Sequence, residues 1–188
     1  VFVIKTLVWG IVDEADSPYH LFGLPTPSVS YLISFARTTS SQVMTTLVNQ
    51  IIEFLDFMKK ENPELDASAL TEDVSFQEVL ITKFWEFLLL NAFSFPKIIY
   101  DICYIIYTAT VRSLADPSKN QYKGVIDLMF THVIIVALRN PLFIKNDFHK
   151  KCLVYISDKT SLSFKMGIQD QISSIGLDPL VHFLEIIT

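Results

Sequence analysis

The polar residues that stand out by their position are Arg139 and Asn140, which follow the apolar run 125–138 and precede Pro141. Proline disfavours helical geometry at the residue before it and has no N–H to continue the helix, so the helix must end here. A polar corner on a nearly all-apolar helix is costly unless it is buried by design or presented to a partner. It is therefore either a binding corner or a helix stop in which the Asn140 amide satisfies local backbone groups.

No other residues have the types and spacing of an enzyme or a metal site. The sequence has no glycine-rich phosphate loop, no HExxH, no CxxC pair and no GxSxG. Its four histidines have no carboxylate or cysteine at metal-ligand spacing, and these are His20, His132, His149 and His182. We therefore predict no catalytic residue, no metal and no cofactor. Because His132 lies on an apolar helix face, we expect it to be a hydrogen-bonded core histidine.

Three further reactive groups lie within apolar segments. Asp101 is surrounded by the apolar stretch 98–106, so its carboxylate should face solvent or pair with a cation. Cys103 and Cys152 have no metal-ligand spacing, which predicts reduced core thiols in a cytoplasmic protein.

Composition limits the class of protein. The net charge of −5 argues against a nucleic-acid partner, which requires a basic face. Hydrophobic residues make up 51% of the chain, yet the apolar run 128–138 is shorter than the ~18 to 20 residues of a membrane span, so no transmembrane segment is predicted. The chain begins and ends within apolar segments, and we expect it to be a piece of a larger protein, incomplete at both ends.

Helical spacing of the apolar residues predicts an all-α domain of seven or eight helices spanning residues 1–188. We expect a loop over 21–27, a surface connector over about 61–73 and a less regular part over about 142–188. Capping residues and prolines place the helix boundaries, with Ser28 as one N-cap and Asp73 or Ser75 as another. The predicted helices cover 2–12, 28–35, 40–60, 75–91, 96–114, 123–138, 147–156 and 178–187, and residues 157–174 are ambiguous.

Three segments together resemble the RasGAP family. They are Phe84-Trp85-Glu86-Phe87-Leu88 with Ser94-Phe95-Pro96-Lys97-Ile98, then Ile102 to Tyr107, then Ile134 to Leu142 ending in Leu-Arg-Asn-Pro. Their order and spacing agree with the family over residues 74–144. Upstream, Pro27-Ser28-Val29 and Ser34-Phe35-Ala36-Arg37 are similar to the IQGAP branch of that family. The resemblance implies a RasGAP-like helical domain.

The departures from the family decide what the resemblance implies about activity. Catalytic members insert an arginine finger into the GTPase site, an effect of ~10³ to 10⁵ in rate. The matching loop here reads Phe22-Gly23-Leu24-Pro25-Thr26, without arginine or lysine. The family's second arginine falls near Val136, and Arg139 lies three positions later. IQGAP proteins also lack the finger and bind GTP-loaded GTPases without accelerating hydrolysis.

The resemblance therefore implies a non-catalytic GAP-related domain that binds a small GTPase in its GTP form. The similarity to IQGAP-type scaffold proteins implies a cytoplasmic protein that is associated with the cytoskeleton or with cytokinesis. Two alternatives stay open: an active GAP that uses Arg37 or Arg139 as a repositioned finger, and a helical scaffold segment without a GTPase partner. The predicted GTPase-binding residues are Gly23, Pro25, Thr26, Arg37, Arg139, Asn140 and Pro141.

Overall fold

The described part of the chain is built from helices. The computed structural model describes residues 2–14, 21–22, 26–113, 121–140, 142, 144, 146–165 and 178–188. Within these ranges every regular element is helical and none is a strand, which confirms the all-α prediction. The α-helices are α1 (Phe2–Glu14), α2 (Pro27–Glu61), α3 (Ala69–Glu72), α4 (Val74–Ala92), α5 (Lys97–Ser113), α6 (Lys123–Ile126), α7 (Ile135–Leu138), α8 (Asp147–Lys165) and α9 (Asp178–Ile187). A π-helical segment, Asp127–Ile134, connects α6 directly to α7.

The predicted break between two helices at 36–39 is wrong, because α2 runs through it as one helix of 35 residues. Ala36 and Ser40 are fully buried and continue the inward face from Leu32 to Val43 across the expected break. Packing of this face outweighs the weak helix propensity of the serines and threonines around residue 40. The N-cap is also displaced from the predicted Ser28, since the side chain of Thr26 accepts the cap bond.

The segment between α2 and α4 is mostly exposed, as predicted for a connector, but it is anchored by Leu65 and Leu70, which are buried. Asp73 is the N-cap of α4, as predicted, and its Oδ1 accepts a hydrogen bond from the Phe76 N–H at 3.0 Å. A carboxylate at this position also interacts favourably with the helix dipole.

Where the structure describes it, the C-terminal part 142–188 is more regular than predicted. Helix α9 has the predicted bounds, whereas α8 continues to Lys165 through the first part of the ambiguous stretch. Two hydroxyl groups in this stretch donate to carbonyls four residues back, Thr160 to Ile156 and Ser161 to Ser157. These bonds allow serine and threonine to lie within a helix without unpaired hydroxyls. Residues 166–174 lie outside the described part.

Helix 123–138, made of α6, the π segment and α7, lies at the centre of the hydrophobic core. Phe130 in its π segment contacts Trp85 of α4 and Phe183 of α9, with ring centroids 5.9 and 5.3 Å apart. The same helix packs against α2 and α5, and its C-terminal end packs against α8. The sequence pattern had predicted one uniform helix here, and the eight π-helical residues correct that prediction.

None of the described helices is by itself both long and apolar enough to cross a membrane. Helices α4 and α5 reach the required length and hydropathy only as a pair, and they are bent by 104° at the break between them.

Candidate functional site

Three elements distant in sequence meet at His132 in the π segment. The Arg37 Nε atom, from α2, donates a hydrogen bond to the His132 carbonyl oxygen at 2.6 Å. The Phe22 ring, from the predicted loop, packs edge-on against the His132 imidazole with ring centroids 6.2 Å apart. We call Phe22, Arg37 and His132 the His132 junction. It joins the loop, α2 and the central helix.

Gly124 allows the start of the loop to lie close to the central helix. A Cβ atom at this position would lie 2.9 Å from Leu21 Cδ1 and 2.7 Å from Ile106 Cγ2. Separations below 3.0 Å are not tolerated without movement of the neighbours, and both neighbours are almost fully buried. The absence of a side chain at Gly124 therefore lets Leu21 and Phe22 approach the helix.

The surroundings of the His132 imidazole favour its neutral form over its charged form. Partial burial lowers the pKa of His132, and the positive charge of Arg37 lowers it further, while Asp127 opposes both effects. Asp127 is itself paired with Lys123, whose Nζ lies 2.6 Å from Asp127 Oδ1. Arg37 carries the permanent positive charge of the junction. The expected core histidine is only half-buried, and the hydrogen bond is accepted by its backbone carbonyl.

The predicted binding corner lies at the far end of the same helix. Arg139 lies seven positions after His132, which corresponds to about 10 Å along a helix axis. Arg139 Nε donates to Ser157 Oγ at 2.6 Å, and Arg139 Nη2 forms an ion pair with Asp158 of α8. The Arg139 side chain is still 47% exposed.

The remaining predicted site residues have local structural roles or fall outside the described residues. Asn140 Oδ1 accepts a hydrogen bond from the Leu142 N–H at 3.0 Å, as expected for the helix-stop interpretation. Thr26 Oγ1 accepts from the Val29 N–H at 3.3 Å and caps α2. Gly23, Pro25 and Pro141 lie outside the described residues. The structure thus brings Arg37 to the start of the loop, and Arg139 and Asn140 to the end of the helix beside it.

The sequence contains three arginines, and each guanidinium is held by another part of the fold. Arg37 and Arg139 have the partners given above. Arg112 of α5 lies over the ring of Trp9 in α1, 5.6 Å from its centroid. None of the three therefore extends from a loop as an unattached side chain.

A second histidine forms a contact that the sequence did not reveal. His149 of α8 is buried, and its Nε2 lies 2.9 Å from Asp56 Oδ1 of α2, while its Nδ1 is unpartnered among the described residues. The two residues are 93 positions apart, so no local pattern could have predicted the pair. It ties α8 to α2 and does not belong to the His132 junction.

The other reactive groups lie in structural environments. Lys97 Nζ pairs with Asp101 Oδ1 at 3.0 Å, which is one of the two outcomes expected for that carboxylate. Cys103 and Cys152 are buried free thiols, as predicted, and burial raises the pKa of both. In the described ranges, no three histidine, cysteine or acidic side chains are close enough together to hold a metal ion.

A groove separate from these residues lies between α1 and the start of α2. It has a volume of about 400 Å³ and is lined by Phe2, Val3, Thr6, Leu7, Gly10 and Ser28. Phe2 and Val3 at its edge are 82% and 72% exposed, so the groove is open and largely apolar.

Comparisons with known proteins identified no relative of this chain. No protein-family model matches the chain, and neither a curated protein nor a solved structure matches it.

Proposed function

We propose that this chain binds a GTP-loaded small GTPase of the Ras or Rho type without accelerating hydrolysis, as the GAP-related part of a cytoplasmic signalling or cytoskeletal scaffold. The resemblance to RasGAP domains suggests the partner. The observation that carries the proposal is the packing of Phe22 against His132. It holds the start of the loop that corresponds to the finger loop beside the helix that ends at Arg139 and Asn140.

The two arginines at this surface can still contact a partner. A guanidinium has five N–H donors, of which the bonds described above use one in Arg37 and two in Arg139. Both side chains are exposed enough to offer the others to carboxylates. Arg37 is held by a neutral carbonyl and keeps its full positive charge, whereas Asp158 offsets the charge of Arg139. The charge of Arg37 suits an acidic GTPase surface, despite the net charge of −5 for the whole chain.

The arrangement of the arginines supports binding without catalysis. A finger must reach from its own domain to the transferring phosphoryl group. Arg37, Arg112 and Arg139 are each held against another helix of this chain. Releasing any of them would break a bond or a ring contact within the domain. The alternative in which Arg37 or Arg139 serves as a repositioned finger is therefore disfavoured.

Binding is tested with a panel of Ras- and Rho-type GTPases, each loaded with a GTP analogue or with GDP. Arg139→Ala should weaken binding of the GTP-analogue form by at least about tenfold, which corresponds to ~1.4 kcal/mol. Asp158→Asn is the matched control, because it removes the ion pair and leaves the guanidinium in place. Arg112→Ala controls for loss of positive charge elsewhere. Equal affinities of Arg139→Ala and the unaltered domain would remove Arg139 from the interface.

The groove beside α1 favours the second candidate, a helical scaffold segment without a GTPase partner. Exposed Phe2 and Val3 would then be covered by another part of the parent protein. This alternative predicts that the domain alone is poorly soluble, that a longer stretch of the parent chain is soluble, and that no GTPase of the panel binds either.

A further inference from the structure

Where the π segment of helix 123–138 meets α7, the helix has one backbone N–H donor fewer than it has carbonyl acceptors. The Ile135 N–H donates to the Phe130 carbonyl, five residues back, whereas the Arg139 N–H donates to the Ile135 carbonyl, four residues back. Between these two bonds lie the four carbonyls of residues 131–134 but only the three N–H groups of residues 136–138. If each N–H bonds a single carbonyl, one carbonyl in this stretch is left without a backbone donor.

Arg37 supplies a donor to this stretch. Its Nε lies 2.6 Å from the carbonyl oxygen of His132, one of the four carbonyls. The bond is short and charge-assisted, which makes it stronger than a bond between neutral groups. We propose that Arg37 fixes the register of helix 123–138 by supplying the donor that the change from π to α bonding leaves missing.

The register of this helix determines where the His132 junction lies and where the corner formed by Arg139 and Asn140 lies. We call these two parts together the candidate surface. If the π segment changed to regular α-helical bonding, the register of the helix would shift by one residue. The part of the helix that follows would then rotate by about 100°, the angle that one residue occupies in an α-helix. Such a rotation cannot keep both His132 against Phe22 and Arg139 against Ser157. Arg37 is therefore a positioning residue for the loop and the corner. Only its effect on GTPase binding rests on the proposed function.

Two substitutions at residue 37 separate the donor from the charge. In Arg37→Gln the amide nitrogen is attached to Cδ, as Nε is in arginine, so it can donate to the His132 carbonyl without a charge. Arg37→Met has a similar length, no charge and no donor. Because residue 37 is exposed on α2, both variants should fold, and circular dichroism checks this.

The direct measurement is amide hydrogen exchange of residues 131–139 in the free domain. Exchange in Arg37→Met should be about five- to tenfold faster than in the unaltered domain, as expected for loss of one hydrogen bond. Arg37→Gln keeps an uncharged and therefore weaker donor, so its exchange should fall between that of Arg37→Met and that of the unaltered domain. Equal exchange in the Gln and Met variants would overturn the proposal, because the donor would then have no role in the register.

GTPase binding gives the second readout. Both variants lose the charge of Arg37, so any contact of that charge with the partner weakens them equally. A positioning role predicts that Arg37→Met binds at least about tenfold more weakly than Arg37→Gln. Equal affinities of the two variants would overturn the positioning role in binding. The exchange experiment needs no GTPase, so failure of the unaltered domain to bind any GTPase would count against the proposed function alone.

Discussion

The close approach of Leu21 to the central helix predicts that the same substitution has opposite effects at two glycines. In a helix interior, alanine is more stable than glycine by up to about 1 kcal/mol. At Gly124 a new Cβ would lie 2.7 Å from Ile106 Cγ2 and 2.9 Å from Leu21 Cδ1. Overpacking of this kind costs about 1–3 kcal/mol. Because Gly124 is the second residue of α6, the gain in helix propensity is small there, and Gly124→Ala should be destabilising by about 1–2 kcal/mol.

Gly10 provides the matched control. It lies within α1, and a Cβ at this position would meet nothing within 4 Å. Gly10→Ala should therefore stabilise the protein by about 0.5–1 kcal/mol. Urea unfolding followed by circular dichroism measures both variants, and thermal midpoints should change by about 2–4 °C per kcal/mol for a chain of this length. If Gly124→Ala were as stable as Gly10→Ala, the close packing of the loop on the helix would be refuted.

Three further predictions concern single side chains. Burial, followed by the charge of Arg37, lowers the pKa of His132 below 6.5. As the pH falls, His132 therefore becomes protonated in the unfolded chain before it does in the folded protein, and this lowers the free energy of unfolding. Urea titrations from about pH 7.5 to 5.5 should show a smaller decrease in His132→Gln. Phe84 is fully buried and Phe93 is 72% exposed, so alanine should cost about 3–5 kcal/mol at Phe84 and less than about 0.5 kcal/mol at Phe93; equal costs would contradict the described core. Burial raises the pKa of Cys152 to about 12, so its thiol should react with a disulfide reagent far more slowly in the native state than in urea. Rapid reaction of the native protein would contradict that burial.

The elements that could be predicted from the sequence are those whose signals are local. Asp73 begins α4 and residues 178–187 form α9, because capping residues and apolar spacing act within a few positions. The π segment could not be predicted. Nine of the twelve residues 124–135 are buried, and the three that are not, Asp127, Thr131 and His132, form a polar stripe too short to distinguish a π-helical period from an α-helical one.

The candidate surface was only partly predictable for a different reason. Arg37 was identified from a short similarity, but its hydrogen bond to His132 spans 95 residues. Gly124 carried no signal, since a glycine near a helix start is ordinary until the atoms around it are known. Asn140 could be interpreted from its neighbour, because proline at 141 ends the helix and the amide accepts from the backbone beyond it.

The central claim, GTPase binding without catalysis, is tested most directly by combining two assays on the same panel of GTPases. Binding is measured with GTP-analogue and GDP forms, and single-turnover GTP hydrolysis is measured with saturating domain. We predict at least about tenfold preference for the GTP-analogue form of one or more members, with a hydrolysis rate within about twofold of the GTPase alone. Acceleration by ~10³-fold would show that an arginine reaches the phosphates, and absence of binding to every member would contradict the claim.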